Sequence, residues 1–247
     1  MDYAANIKRL KDLTTQLQTE LLGLETAMTA PEQPSTTGPR LVDFASDDIL
    51  YNTGSWDKYP DAWAQHSVED PNHLQITLSQ PLQPQVRVLR RDYGLRNPKG
   101  GFLREPLGVL RRYELTVEIP ESYSAPDKTV VFQFHPQEAG STPYLQWMIW
   151  NNTTRWLHEK PDGARTTWGK AVLERSHRYK LEVIAVWSPA PNGFIEVWQD
   201  GLLISGHVGA TCDDQPPYLL FGMYRPGTKA AFSDSLILRD LRRVGDA

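Results

Sequence analysis

Hydrophobic and polar residues are spaced in three different ways along this chain, and each spacing predicts a different kind of segment. Ile7, Thr14, Leu21 and Met28 recur every seven residues, and Leu10, Leu17 and Leu24 fill the positions three further on. That repeat over residues 4–28 is the seam of a short α-helical coiled coil. A helix of this length is marginal alone, so the pattern predicts a homo-oligomer, dimer or trimer, held through residues 4–28. The plainer reading is an amphipathic helix packed on its own domain. Residues 29–40 then carry Pro31, Pro34 and Pro39 with no apolar period, which reads as a linker between an N-terminal segment, 1–28, and a domain, 41–247.

Across that domain the apolar residues recur every second position in short runs. Leu74–Leu78, Val86–Arg91, Tyr113–Ile119, Thr129–His135, Tyr144–Trp150 and Tyr179–Trp187 read as strands. Phe194–Gln199 and Leu202–Ser205 flank Asp200-Gly201, the pair expected of a tight hairpin turn. Tyr218–Tyr224 and Phe232–Leu241 complete the set. Strands joined by turns, without interleaved helices, predict an all-β fold, a two-sheet antiparallel jelly-roll sandwich. Within Val130–His135, alternation sends Val130, Phe132 and Phe134 to the core. Val131, Gln133 and His135 fall on the other face, an amide and an imidazole side by side on an expected exposed surface. Two incidental polar residues on a half-exposed strand are the plainer reading.

Composition narrows the classes. With 247 residues, 40% hydrophobic and 23% charged, the chain suits a soluble globular protein, and a net charge of −4 argues against bulk nucleic-acid binding. The charge is uneven: eight basic residues lie between Arg87 and Arg112 against Asp92 and Glu105, a strip suited to capturing an acidic polymer. Cys212 is the only cysteine, which excludes an internal disulfide and suggests packing. No apolar run is long enough for a membrane span, and no signal peptide precedes the heptads. A virion-associated place, or an extracellular one reached by a non-classical route, fits both. The six histidines show no two-His ligand spacing, so no metal site is expected. No cofactor is implied, although Asp213, Asp214 and Asp234 offer oxygens for a structural calcium.

The residues from His177 onward, HRYKLEVIAVWSPAPNGFIEVWQDGLLI, then PYLLFGMYRP, then FSDSLILRDL, carry a resemblance. They resemble the polysaccharide lyases with a concanavalin A-like jelly roll, the heparin lyase I and glucuronan lyase group, and Gln133-Phe134-His135 resembles that group's Gln-aromatic-His strand. The resemblance spans residues 85–241 and implies elimination chemistry at His135 and Tyr224. It also pairs Arg90 with Asp92 as an Arg-x-acid motif, which makes Arg90 a candidate carboxylate contact. Where some members carry a lysine four residues before the tyrosine, this chain has Leu220, which argues against heavily sulfated heparin-type substrates.

β-Elimination on a uronate polymer removes the C5 proton and expels the group at O4. The C6 carboxylate must be neutralised, or the transition state gathers two negative charges. Gln133 suits that task, His135 has the pKa range of a base, and a tyrosine hydroxyl can protonate the leaving oxygen. Gln146 and Trp150 are candidates to hydrogen-bond and stack on sugar rings. The resulting reading is a polysaccharide lyase acting on an anionic, uronic-acid-containing polymer. Its alternative is a non-catalytic module on a coiled-coil stalk, such as a virion decoration or fibre protein, which grips a surface glycan and has a capsid or other assembly partner.

Overall fold

A computed structural model describes residues 40–41, 44, 49–51, 64–70, 72–80, 88–96, 102–124, 128–136, 142–226 and 232–244, for some of them the backbone alone. The heptads and nearly all of the linker lie outside the described residues. Fifteen strands and no helix are found among those described. In chain order they are β1 (Arg40–Leu41), β2 (Ile49–Tyr51), β3 (Ala64–Asp70), β4 (His73–Gln80) and β5 (Val88–Leu95). Then follow β6 (Leu110–Ile119), β7 (Thr129–His135), β8 (Leu145–Trp150), β9 (Thr153–Glu159) and β10 (Arg165–Val172). The last are β11 (His177–Val186), β12 (Phe194–Gln199), β13 (Leu202–Val208), β14 (Tyr218–Pro226) and β15 (Phe232–Val244).

One sheet of eight strands runs β13-β12-β11-β6-β15-β4-β3, with β1 paired to β15; a second, of seven, runs β10-β9-β8-β7-β14-β5-β2. This is the expected two-sheet antiparallel sandwich. Alternation builds the layer between the sheets. Tyr113, Leu115, Val117 and Ile119 of β6 are buried, as are Leu181, Val183 and Ala185 of β11. They meet Phe132, Phe134, Trp147, Trp156, Phe221 and Met223 of the other sheet. Phe134 packs 4.8 Å from both Tyr113 and Trp187, an aromatic stack that spans the layer. Each large apolar side chain buried this way contributes about 2 kcal/mol over leaving it in water. Cys212 is buried in the same cluster.

Among the described residues two ion pairs are buried in the sandwich. Arg225 of β14 bonds Asp234 of β15 at 2.8 Å, both side chains fully buried. Its guanidinium also donates to Thr129 Oγ1 and Tyr123 Oη, and Asp234 accepts from the backbone and hydroxyl of Ser124. Asp234 is thus engaged by a cation of the chain itself. Arg243 and Glu105 form the second pair at 2.8 Å.

Strand β7 departs from the expected alternation. Val130 pairs with Met148 and Phe132 with Trp147, so Val131 is an extra residue, a bulge. Val131 joins the core cluster beside Phe132, while Val130 lies outside it. The expected faces of these two valines are therefore exchanged, because a bulge lets two consecutive side chains share one face. From Phe132 to His135 the expected alternation holds.

Candidate functional site

The outer face of the seven-stranded sheet carries a row of residues in register across six strands: Gly94, Leu220, Gln133, Gln146, Leu157 and Thr167. Gln133 and Gln146 are therefore direct neighbours on β7 and β8. The sequence places Gln133 on an exposed surface; in the structure Gln133 and Gln146 are only 4% and 3% exposed. Their row mates Leu220 and Gly94 are buried too, so this stretch of the face is shielded from water.

His135 stands one outward position beyond Gln133, opposite Tyr218 of β14, with the two rings 5.8 Å apart. Its Nδ1 lies 2.6 Å from the Pro136 carbonyl oxygen. A carbonyl only accepts, so in the neutral ring Nδ1 carries the hydrogen and Nε2 the lone pair. Tyr218 stacks on Phe102 at 4.7 Å, and the Arg104 guanidinium lies 5.8 Å from the Tyr218 ring. Phe102 fits because position 94 is glycine: a Cβ there would come within 2.5 Å of the Phe102 ring.

Tyr224 shares the outer face with Leu220 and Gly222, since Phe221 and Met223 turn into the core. In register it faces Val130 on one side and Arg90 on the other. Arg90 thus lies next to Tyr224, and the description of Arg90 stops at its backbone. His135 and Tyr224 are five β7 positions apart, roughly 17 Å of strand. They are not side by side. The Gln133–Leu220 pair lies between them, and so does Gly222, whose φ of 140° suits a residue without Cβ.

Trp150 closes β8 on the same face, 42% exposed, with the Arg155 guanidinium 4.9 Å from its ring centroid. Tyr144, two residues before Gln146, belongs to the core cluster and donates its hydroxyl to Asp213. Burial, reinforced by that bond, pushes the Tyr144 pKa far above the ordinary range. Nor does the basic strip form one surface. Arg104 lies by Tyr218, whereas Arg111 and Arg112 belong to β6 of the other sheet. Among the described residues no three His, Cys, Asp or Glu side chains gather as metal ligands. Sequence reasoning missed Tyr218 and Phe102. Alternation along Tyr218–Tyr224 is the signal that could have found the first.

Two-sheet antiparallel jelly rolls serve viral capsids, lectins and cupins alike. The polysaccharide lyase family matches residues 63–236, most of the chain, and the protein belongs to that family. Among solved structures it is similar to an endo-β-1,4-glucuronan lyase from the fungus Trichoderma reesei, with TM-score 0.58 and 15% identity over 78% of this chain and 94% of that one. It is also similar to the alginate lyase AlyC3, with TM-score 0.51 and 12% identity over 69% and 74% of the two chains. The family 7 alginate lyase AlgAT5 gives TM-score 0.54 and 12% identity over 77% and 85%. At these identities the likeness shows the fold. No curated protein sequence matches the chain. No helix among the described residues is long and apolar enough to cross a membrane.

Proposed function

We propose that the protein cleaves an anionic, uronic-acid-containing polysaccharide by β-elimination on the outer face of the seven-stranded sheet. The observation that carries this reading is the pair of adjacent, buried carboxamides, Gln133 and Gln146, beside His135 on a family-matched sheet. Glucuronan and alginate, the polymers named for the similar lyases, are both uronates and set the substrate class.

The sugar ring lies over the Gln133–Leu220 pair, with His135 on one side and Tyr224 on the other along the strands. Gly222 leaves room for the ring next to Tyr224. The amide N–H groups of Gln133 and Gln146 donate to the C6 carboxylate, with Arg90 as counter-cation, which lowers the charge that builds up as C5 loses its proton. His135 Nε2 takes that proton, the C5–H electron pair forms the C4=C5 double bond, and the C4–O4 bond breaks. Tyr224 gives its hydroxyl proton to the departing O4. The balance needs no water and no oxidant.

Incubation with glucuronan, alginate and hyaluronan, followed by ultraviolet absorbance of the unsaturated product, tests the reading. The expected result is a steady rise on at least one uronate polymer. Silence on all of them, with polymer binding intact, leaves a glycan-binding module, the reading favoured by the strand distance between His135 and Tyr224.

A further inference from the structure

The opposite outer face, on the eight-stranded sheet, holds a pocket of about 340 Å³ that the elimination chemistry does not use. Its floor is a second row in register: Trp198, Glu182, Glu114 and Arg242, on β12, β11, β6 and β15. One wall is the Trp198 ring. The other is raised by a bulge in β15 between Arg239 and Arg242, where Asp240 takes a φ of 52°. Arg112 bridges Glu114 at 3.0 Å and Glu182 at 2.9 Å, so one guanidinium offsets half of the charge of these two carboxylates. Lys180 and Arg242 also line the pocket, and neither has a carboxylate partner among the described residues. The indole N–H of Trp198 is directed to Glu196 Oε2 at 3.3 Å, so the ring offers a ligand aromatic surface rather than a donor.

We propose that this pocket is a second, non-catalytic saccharide site that binds a uronate unit of the polymer. The volume lies in the range of small-ligand sites. An apolar ring surface meets the C–H face of a pyranose, the carboxylates accept from its hydroxyls, and the two unpaired cations meet its carboxylate. A purely cationic ligand is disfavoured by Lys180 and Arg242, and a polyphosphate by the carboxylates of the row. The site lies across the full thickness of the sandwich from Gln133. It therefore holds a different stretch of chain, and a polymer gripped there stays at high local concentration near the elimination face. The uronate identity of the ligand rests on the proposed elimination; the pocket itself does not.

The test uses the full chain and two readouts. In native gels cast with glucuronan or alginate, Trp198→Ala and the exposed-charge variant Arg242→Glu are expected to lose about tenfold in retention affinity, the scale of one stacking or ion-pair contact. Arg178→Ala, outside the pocket lining, is expected to keep it. In amide and indole NMR spectra, short glucuronan oligosaccharides are expected to shift the Trp198 indole signal, identified by its disappearance in Trp198→Phe. Wild-type retention in both Trp198→Ala and Arg242→Glu overturns the site, whether or not the protein eliminates. Equal retention by a neutral glucan gel, unaffected by Arg242→Glu, overturns the uronate assignment. A protein that forms no unsaturated product yet loses retention in these variants supports the pocket and refutes elimination alone.

Discussion

The two outer faces of the sandwich are built from the same alternating backbone and come out chemically opposite. On the seven-stranded sheet the central row is neutral, buried from Gly94 to Gln146, with the two amides between Leu220 and Leu157. On the eight-stranded sheet the matching row carries two adjacent carboxylates, bridged by Arg112, and a guanidinium in contact with water: the Arg112 side chain is 48% exposed and that of Glu114 31%. Charges in water are screened and cheap to rearrange. Neutral dipoles out of water hold their strength because little competes with them. The contrast teaches that the face for transition-state chemistry is the one that gives up solvation, whereas the charged face suits reversible capture.

The sharpest way to break that contrast is chemical. Tyr224→Phe and His135→Ala are each expected to lower elimination by a factor of 10² or more, on the scale of lost general acid or base catalysis, with melting temperature nearly unchanged. Tyr218→Phe, which keeps the ring 5.8 Å from that of His135 and removes only its hydroxyl, is expected to reduce turnover far less. If Tyr218→Phe is the silent enzyme and Tyr224→Phe the active one, the acid has been assigned to the wrong end of β14.

Stability comes next, at the link between the faces. Arg225→Met strands the Asp234 carboxylate in the core and is expected to cost about 3–5 kcal/mol in urea unfolding. Most of that should return in Arg225→Met/Asp234→Leu, because the loss reflects an uncompensated charge rather than the intrinsic worth of the pair.

The edge where the sheets meet carries the pH dependence. His158 of β9 is fully buried, 4.8 Å from both Trp168 and His207, and neither ring nitrogen finds a hydrogen-bond partner among the described residues. Burial, and then the charges of His207 and Lys160, lower its pKa to about 4. The unfolded chain therefore takes up a proton near pH 6.5 that the folded protein refuses until about pH 4. Stability from this residue is complete above the unfolded pKa and falls as pH drops through that window, by about 2–3 kcal/mol. Urea midpoints of His158→Phe between pH 7 and 4 should lack this part of the acid slope.

Smaller effects should separate the faces once more. Gln133→Leu is expected to cut turnover on polymer about tenfold while changing stability by under about 1 kcal/mol, since a nearly buried amide is replaced by an apolar group of similar size. Arg178→Ala removes an exposed pair with Glu118 on the charged face and should change unfolding by under about 0.5 kcal/mol. A larger loss there would mean that this face is less solvated than its exposure indicates.

Much of this architecture was legible in the alternation of residues. Strands β7 and β12 carry the boundaries read from the sequence, and Asp200-Gly201 makes the expected turn, with φ of 54° and 79°. Its counterpart between β8 and β9, Asn151-Asn152, has the same backbone with φ of 49° and 57° but escaped notice, and β9 and β10 with it. The reason is physical. Most of β10 is exposed, so hydrogen bonds rather than an apolar pattern hold it in the sheet. The site was half legible. Gln133 and Gln146 could be placed on one face, but the opposition of His135 and Tyr218 depends on how two distant strands slide against each other, which local spacing does not encode. The resemblance pointed to His135 and Tyr224 and carried no ruler for the distance between them.

The extra residue at Val131 acts on β7 as a frameshift acts on a reading frame. Upstream and downstream of it, odd and even positions exchange meaning, so counting by twos through the strand assigns one end to the wrong side. Deleting Val131 while the N-terminal half of β7 stays anchored would set Phe132 directly after the outward Val130 and restore simple parity, with Phe132 and Phe134 still in the core and Gln133 and His135 still on the sugar face. A single-codon deletion there would repair the reading frame without turning over any residue that performs the chemistry.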